Sequence, residues 1–148
     1  MSAPIRLSHN VSVLVYHFVC PAKYRRVVVD EQVNLVIKEV CQEIELRYDM
    51  RFLEIGTDRD HVHFLVQAIP KLSPRQIIRT IQSITAKEVF AKCLQVKKML
   101  WGGQFWSGGY YVNTVGMHGN EKTVGEYAKN QGRENEYRQL HVQQLSLL

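Results

Sequence analysis

The sequence predicts an α+β fold in which helices cover one face of an antiparallel sheet. Segments typical of strands and helices alternate in the order strand, helix, strand, strand, helix, strand, and one more helix is appended. A turn-rich segment separates the second strand from the third, as in a hairpin. The chain has 148 residues, 45% of them hydrophobic and 22% charged, which is enough for one packed domain over residues 1–148.

The first strand and the first helix follow from the pattern of apolar residues. Residues 12–19 are rich in β-branched and aromatic side chains, and Pro21 ends the run, so they predict a strand. Apolar residues then recur at helical spacing from Asp30 to about Arg47, with charged residues between them. Because an aspartate can accept a hydrogen bond from the free N–H groups of a first turn, Asp30 is the expected N-cap.

The middle of the chain predicts a hairpin followed by a second helix. Residues 50–55 and 61–68 are short β-like runs separated by turn-forming residues. Ser73 is the expected N-cap of the next helix, and Pro74 suits its first position. We expect this helix to end near Cys93.

The last third of the chain predicts a fourth strand and a final helix. After a loop with four glycines, residues 110–115 predict the strand. Residues 121–139 predict a helix that carries Tyr127 and Gln131. The whole order is the split βαβ or ferredoxin-like pattern, with an extra C-terminal helix that carries the tyrosine.

The composition predicts a cytoplasmic protein and is compatible with a polyanionic partner. Lysine and arginine number 19 against 14 acidic residues, which gives a formal net charge of +5 and a pI near 9.2. The longest apolar stretch is far shorter than the roughly 20 residues of a membrane helix, and we see no secretory signal. We therefore expect no membrane segment and a cytoplasmic location. Three cysteines at unrelated spacings predict reduced core thiols: Cys20, Cys41 and Cys93.

Basic residues cluster at two places that could contact a nucleic-acid backbone. One cluster surrounds Tyr24 after the first strand, and the other recurs at helical spacing on the second helix. From charge alone, a solvated surface is the simpler interpretation. Trp106, Tyr110 and Tyr111 could stack on unpaired bases, although aromatic residues more often belong to a core. The candidate DNA-contacting residues are Lys23, Arg25, Arg26, Arg75, Arg79 and Lys87.

Two histidines on the third predicted strand are candidate metal ligands. Because side chains alternate along a strand, His61 and His63 share one face, and the opposite face is apolar and should pack on the helices. Two adjacent imidazoles can chelate a metal ion. A pair of partly exposed strand histidines with no ligand role has the same pattern, and the triplet alone favours that interpretation.

Tyr127 and Gln131 are four residues apart on the last predicted helix, so they point the same way, one turn apart. The glutamine carbonyl oxygen could complete a His-His-Gln metal site beside the tyrosine hydroxyl. Either residue alone is more often a helix anchor or a solvated side chain. The combination with the two histidines favours a site.

These segments together resemble the single-tyrosine HUH transposases of the TnpA type, which small prokaryotic insertion sequences encode. HUH means histidine, bulky hydrophobe, histidine. The resemblance covers most of the chain in order, and the joint occurrence of the segments is more specific than the triplet. The matching segments are Lys23-Tyr24-Arg25-Arg26, residues 60–66, Ser73-Pro74, Phe105-Trp106-Ser107, residues 109–112 and residues 124–131.

The resemblance implies a DNA strand transferase with a covalent intermediate. Tyr127 would be the nucleophile, and His61, His63 and Gln131 would bind Mg²⁺ or Mn²⁺. A phenol with a pKa of about 10 is mostly protonated at neutral pH, so its attack on a phosphodiester needs the help of the metal. Attack would leave a 5′-phosphotyrosine and a free 3′-hydroxyl, and rejoining would need no nucleotide cofactor. Imidazole ligands favour tighter binding of Mn²⁺ than of Mg²⁺.

The resemblance also implies a substrate and an assembly. The substrate would be single-stranded DNA with hairpin-bearing insertion-sequence ends. The working unit would be a homodimer in which the histidines of one subunit act with the tyrosine of the other in at least one state. Gly116 and Gly119 agree with this arrangement, because they make the connection before the tyrosine helix permissive.

Two alternatives stay open from the sequence. A non-catalytic ferredoxin-like nucleic-acid-binding module would use the histidines and Tyr127 structurally, and it predicts DNA binding without cleavage. A replication-initiator or relaxase nickase would share the HUH chemistry but usually lies in a larger protein.

Overall fold

The computed structural model describes residues 3–100 and 102–116, which contain the predicted order of strands and helices. Two short strands, β1 (Ile5–Arg6) and β2 (Val11–Ser12), pair with each other ahead of the main sheet. The main sheet consists of β3 (Leu14–Pro21), β4 (Met50–Asp58), β5 (His61–Ala68) and β6 (Tyr111–Val115). The helices are α1 (Glu31–Arg47), α2 (Pro74–Lys92) and the short α3 (Leu94–Met99).

The two long helices begin at the predicted caps. The carboxylate of Asp30 accepts a hydrogen bond from the backbone N–H of Val33 at 2.9 Å. At the start of α2, the Ser73 hydroxyl accepts from the N–H of Gln76, and the Gln76 side chain accepts from the N–H of Ser73. These bonds satisfy N–H groups that have no partner inside the helix, so both predicted caps are confirmed. No helix in the described part of the chain is long and apolar enough to span a bilayer.

The strands of the main sheet are ordered β4-β5-β3-β6, and each neighbouring pair is antiparallel. β3 and β5 are therefore the central strands of this sheet. The order is the one that the split βαβ pattern requires, so the predicted fold class is confirmed. The predicted C-terminal helix, with Tyr127 and Gln131, lies outside the described residues.

Two strand boundaries differ from the sequence prediction. The run predicted over residues 12–19 is divided, since its beginning pairs in the small sheet and the rest continues through Pro21 in β3. The hairpin is also tighter than predicted, because residues 56–58 extend β4 opposite the start of β5. Only Arg59 and Asp60 are left to form the turn. Pairing satisfies backbone groups that a longer loop would leave to water.

Helices α1 and α2 pack on one face of the main sheet and enclose the hydrophobic core. The even-numbered residues of β5 belong to this core, as predicted, and Phe64 is fully buried there. Helix residues such as Ile37 and Ile77 lie in the same cluster. The three cysteines are also buried and unbridged, as predicted, and burial raises the pKa of the Cys20 thiol.

Candidate active site

His61 and His63 lie on the face of β5 that points away from the helices, as the alternation of the strand predicts. Their rings are 4.8 Å apart between centroids and nearly perpendicular, at 84°. Both side chains are buried, with exposed fractions of 0% and 1%. The alternative of a partly exposed pair is therefore wrong, and β5 itself is buried on both of its faces.

Asp60 connects His61 to the basic turn after β3. One carboxylate oxygen of Asp60 lies 2.8 Å from Nδ1 of His61, and the other lies 3.2 Å from a guanidinium nitrogen of Arg25. A carboxylate beside Nδ1 holds the proton on that nitrogen and fixes the ring in one orientation. The nitrogen that His61 would offer a metal ion is therefore Nε2.

These contacts also set the charge of Asp60. Burial alone would raise the pKa of its carboxyl, but the hydrogen bond to His61 and the attraction of His61 and Arg25 outweigh burial and lower the pKa to about 2. Asp60 is consequently a carboxylate across the neutral range. It can act as a permanent acceptor for the N–H of His61.

A third histidine, His17 on β3, joins the same face. Nε2 of His17 lies 3.1 Å from Nδ1 of His63, and both side chains are buried. Burial lowers the pKa of His17 to about 4, and a hydrogen bond with the side chain of Asn113 opposes this shift. His17 is therefore neutral at neutral pH.

The donor chemistry of the two HUH histidines fits a divalent transition metal. Each ring uses Nδ1 for a neighbouring side chain, Asp60 or His17, which is the usual arrangement of histidines that bind metal through Nε2. Within residues 3–100 and 102–116, no group of three or more His, Cys, Asp or Glu side chains is placed to hold a metal ion. The described residues thus supply two candidate ligands. The other two predicted site residues, Tyr127 and Gln131, lie outside them.

The basic turn after β3 has an unusual backbone. Tyr24 and Arg25 have φ values of 57° and 54°, in the left-handed region that costs a non-glycine residue roughly 1–2 kcal/mol. The N–H of Lys23 donates to the carbonyl of Phe105 at 2.7 Å, which anchors the turn to the loop before β6. The turn presents the ring of Tyr24, 72% exposed, with the Lys23 ammonium 5.2 Å from its centroid.

The predicted DNA-contacting residues have different surroundings. Arg25 is half-buried against Asp60, so it has a role inside the site whether or not it touches DNA. Arg26 and the three α2 residues of the predicted set are exposed, and Lys23 is partly exposed. Arg79 lines a groove of about 310 Å³ that extends to the 103–106 segment. The exposed residues are Arg26, Arg75, Arg79 and Lys87.

Trp106 does not have the surroundings of a base-stacking residue. Its side chain is buried against Phe105 and Phe64, and its indole N–H donates to the hydroxyl of Thr85 at 3.0 Å. Trp106 therefore packs as a core residue, the more common role that the sequence analysis gave to such aromatic residues. Among the described aromatic residues, Tyr24 is the one most exposed to solvent. The sequence analysis named Tyr24 only as the centre of a basic cluster and gave it no stacking role.

Sequence reasoning also missed His17 and Asn113, and it gave Asp60 no role of its own. His17 had a signal in the sequence, because a histidine inside an apolar strand run is unusual. The contact of His17 with His63 could not be predicted from the sequence, because the two residues are 46 positions apart and meet only through the pairing of β3 with β5.

Comparison with known families identifies the class of protein. The family model for IS200-like transposases matches residues 10–131. This match spans most of the chain, so the chain belongs to the IS200-like transposase family. Its role is that of a transposase of a mobile DNA element, which is a DNA strand-transfer enzyme.

Individual relatives agree with this assignment. The chain is 28% identical over 102 residues to the ISDra2 transposase TnpA of Deinococcus radiodurans. The matched segment covers 69% of this chain and 73% of the relative. It is 26% identical over 129 residues to the transposase for insertion sequence element IS200 of Salmonella typhimurium, covering 87% and 84%.

Two solved structures share the fold. One is a crystal structure described as a transposase from Deinococcus radiodurans, with a TM-score of 0.69, 25% identity, and coverage of 86% of this chain and 97% of that one. The other is a REP-associated tyrosine transposase bound to a REP hairpin, with a TM-score of 0.54 and 9% identity over 86% and 68% of the chains. The second likeness concerns the fold alone.

Proposed function

We propose that this transposase cleaves and rejoins single-stranded DNA at insertion-sequence ends through a covalent bond to Tyr127, with a divalent metal ion at His61, His63 and Gln131. The observation that carries the proposal is the arrangement of the two HUH histidines. They lie side by side, and each uses Nδ1 for a neighbouring side chain. The family match, which extends to residue 131, includes Tyr127 and Gln131.

The proposed reaction is a phosphoryl transfer to the phenol oxygen. Tyr127 attacks the scissile phosphorus, the bond from phosphorus to the 3′ oxygen breaks, and the phenol proton ends on that oxygen as a free 3′-hydroxyl. The DNA fragment that keeps the phosphate on its 5′ oxygen stays attached as a 5′-phosphotyrosine. When another 3′-hydroxyl later attacks this phosphorus, a phosphodiester is restored and the tyrosine is released. Both bonds are phosphate esters of similar energy, so no nucleotide cofactor is required.

The protein's own residues prepare this chemistry. Asp60, held by Arg25, keeps the proton of His61 on Nδ1. The burial of both histidines removes water that would compete for their Nε2 atoms. A metal ion bound there would supply charge stabilisation at the scissile phosphate and align it with the attacking oxygen. Either Mg²⁺ or Mn²⁺ should support the reaction, with Mn²⁺ bound more tightly.

The proposed substrate is hairpin-bearing single-stranded DNA. A structural neighbour was solved with a REP hairpin, and Arg75, Arg79 and Lys87 are exposed on α2, where they could contact phosphates. Among the described residues, Tyr24 is an exposed aromatic side chain beside Lys23 that could stack on an unpaired base.

A covalent-adduct assay tests the proposal. The labelled single-stranded end of the insertion sequence is incubated with the protein and Mn²⁺ or Mg²⁺, and the products are separated under denaturing conditions. We expect a protein-linked label that disappears with a chelator and in Tyr127→Phe, while Tyr127→Phe retains DNA affinity. Binding without an adduct would instead support the non-catalytic module, and an adduct retained in Tyr127→Phe would move the nucleophile to another residue.

We also propose that the active unit is a homodimer with shared sites. Tyr127→Phe and His63→Ala, each inactive alone, are coexpressed. In a mixed dimer with shared sites, the intact histidines of one subunit meet the intact tyrosine of the other, so activity of up to roughly a quarter of wild type returns with random pairing. A silent mixture, with mixed dimers confirmed by mass, would contradict shared sites.

A further inference from the structure

His17 is a buried histidine that the proposed reaction does not use directly. Its ring meets that of His63 with 3.1 Å between Nε2 of His17 and Nδ1 of His63. The ring planes differ by only 17°, and the centroids are 5.3 Å apart. This separation exceeds the nitrogen-to-nitrogen distance by about two ring radii, so the rings meet edge to edge. The contact is a directed hydrogen bond rather than a face-to-face stack.

The direction of this hydrogen bond decides what His63 can do. A neutral imidazole has one N–H and one nitrogen with a free electron pair. If Nδ1–H of His63 donates to His17, the electron pair of His63 is on Nε2, where a metal ion could use it. If His17 donates instead, Nε2 of His63 carries the proton, and His63 cannot bind a metal through that atom.

We infer that His17 is a positioning residue for the metal site: it accepts the Nδ1–H of His63 and thereby keeps the electron pair of His63 on Nε2. The inference rests on the metal site proposed above. It assigns to His17 the same task for His63 that the carboxylate of Asp60 has for His61. The two ligands are thus oriented by different acceptors, one charged and one neutral.

The far side of His17 supports this direction. Asn113 on β6 is the register partner of His17, so the two side chains lie on the same face of the sheet as a cross-strand pair. When the amide oxygen of Asn113 accepts the single N–H of a neutral His17, Nε2 of His17 is left as an acceptor. Asn113, His17 and His63 therefore lie on the three neighbouring strands β6, β3 and β5, with His17 between the other two.

Three variants separate this role from simple packing. His17→Phe keeps a ring of similar size but removes the acceptor, whereas His17→Gln keeps an oxygen that can accept from His63. The matched control is Leu65→Met, because Leu65 is buried and is the direct register partner of His17. Thermal unfolding is recorded for each variant to confirm that it folds.

Two measurements are made on each protein. Long-range ¹H–¹⁵N spectra of the metal-free protein report which nitrogen of His63 carries the proton. Titration with Mn²⁺ alone reports metal affinity without any DNA or activity assay. We expect the Nδ1–H form of His63 in wild type and a mixed or Nε2–H form in His17→Phe. Mn²⁺ affinity should fall about 10- to 100-fold in His17→Phe, and His17→Gln should recover most of it.

Each outcome bears on a different claim. An Nε2–H form of His63 in the wild-type protein, or equal Mn²⁺ affinity in wild type and His17→Phe, would overturn the role of His17. Neither result would contradict the proposed metal site. Wild-type protein that fails to bind Mn²⁺ would overturn the metal site and this inference with it. An equal loss of affinity in Leu65→Met would reduce His17 to a packing residue. If His17→Phe does not fold, the wild-type spectrum and His17→Gln still decide the question.

Discussion

The two faces of β5 are both buried, but different contacts bury them. The even-numbered residues face α1 and α2 in an apolar cluster in which Phe64 meets the ring of Trp106 edge-on. The odd-numbered residues place His61 and His63 in a set of side-chain hydrogen bonds that reaches Asp60 and His17. Burial therefore does not distinguish core from site in this strand, and hydrogen-bonding capacity does.

The difference has a physical basis. Apolar burial is non-directional and tolerates small shifts, so the helical face stabilises the fold without fixing any single atom. Buried imidazoles need partners at defined positions, since an unsatisfied polar group in a dry site costs about 1–3 kcal/mol. The contacts to Asp60 and His17 therefore restrict the orientations of the His61 and His63 rings.

The largest expected effects come from adjacent residues on opposite faces. His63→Ala should abolish cleavage while the protein stays folded, because it removes a proposed metal ligand. Phe64→Ala should instead lower the free energy of unfolding by about 3–5 kcal/mol through the cavity that it leaves. Chemical denaturation and the covalent-adduct assay on both variants give the comparison. If His63→Ala were the less stable of the two, the histidine face would be the true structural core.

Asp60→Asn should have the next largest effect, and it acts on the site alone. The amide keeps the size of the side chain but loses the charge that holds His61 and Arg25. We expect Mn²⁺ affinity to fall about 10- to 100-fold with little change in stability. Asp58→Asn is the matched control, since it removes the same charge from a carboxylate that accepts from the backbone N–H of Arg59. Equal losses in both variants would indicate a general effect of charge.

Part of this contrast could be predicted from the sequence. The alternation of β5 places His61 and His63 on one face and the apolar residues on the other, because side chains on a strand have a period of two. The helix caps at Asp30 and Ser73 depend only on neighbours within three residues, and both are present. Local rules therefore predicted the elements and the outline of the site.

The remaining contacts depend on strand register, which the sequence does not encode locally. The bond between His17 and His63 joins positions 46 apart, and that between Arg25 and Asp60 joins positions 35 apart. The same limit applies to Trp106, whose partner Thr85 lies 21 positions away on α2. From the sequence, Trp106 lies in a glycine-rich loop, which suggests an exposed side chain. The contact with α2 that buries it is visible only in the structure.

Removing a single positive charge from α2 should have a smaller effect, which is on DNA affinity and does not involve either face of β5. Arg79→Ala should weaken DNA binding, and the slope of log affinity against log salt should become shallower by about 0.7, the value for one phosphate contact to a single strand. Lys38→Ala is the control, because Lys38 is an exposed lysine on α1. An unchanged slope in Arg79→Ala would place the DNA elsewhere.

The smallest expected effect tests whether the helical face is purely structural, although it contains a hydrogen bond of its own. Thr85→Val removes the acceptor of the buried Trp106 indole N–H and should lower the free energy of unfolding by about 1–3 kcal/mol. Thr80→Val makes the same change on α2, where the hydroxyl bonds only to the helix carbonyl of Gln76. It should have a smaller effect. DNA affinity and Mn²⁺ affinity should match wild type in both variants, since neither side chain belongs to the histidine face. A loss of DNA affinity in folded Thr85→Val would return Trp106 to the DNA interface and end the strict division between the two faces.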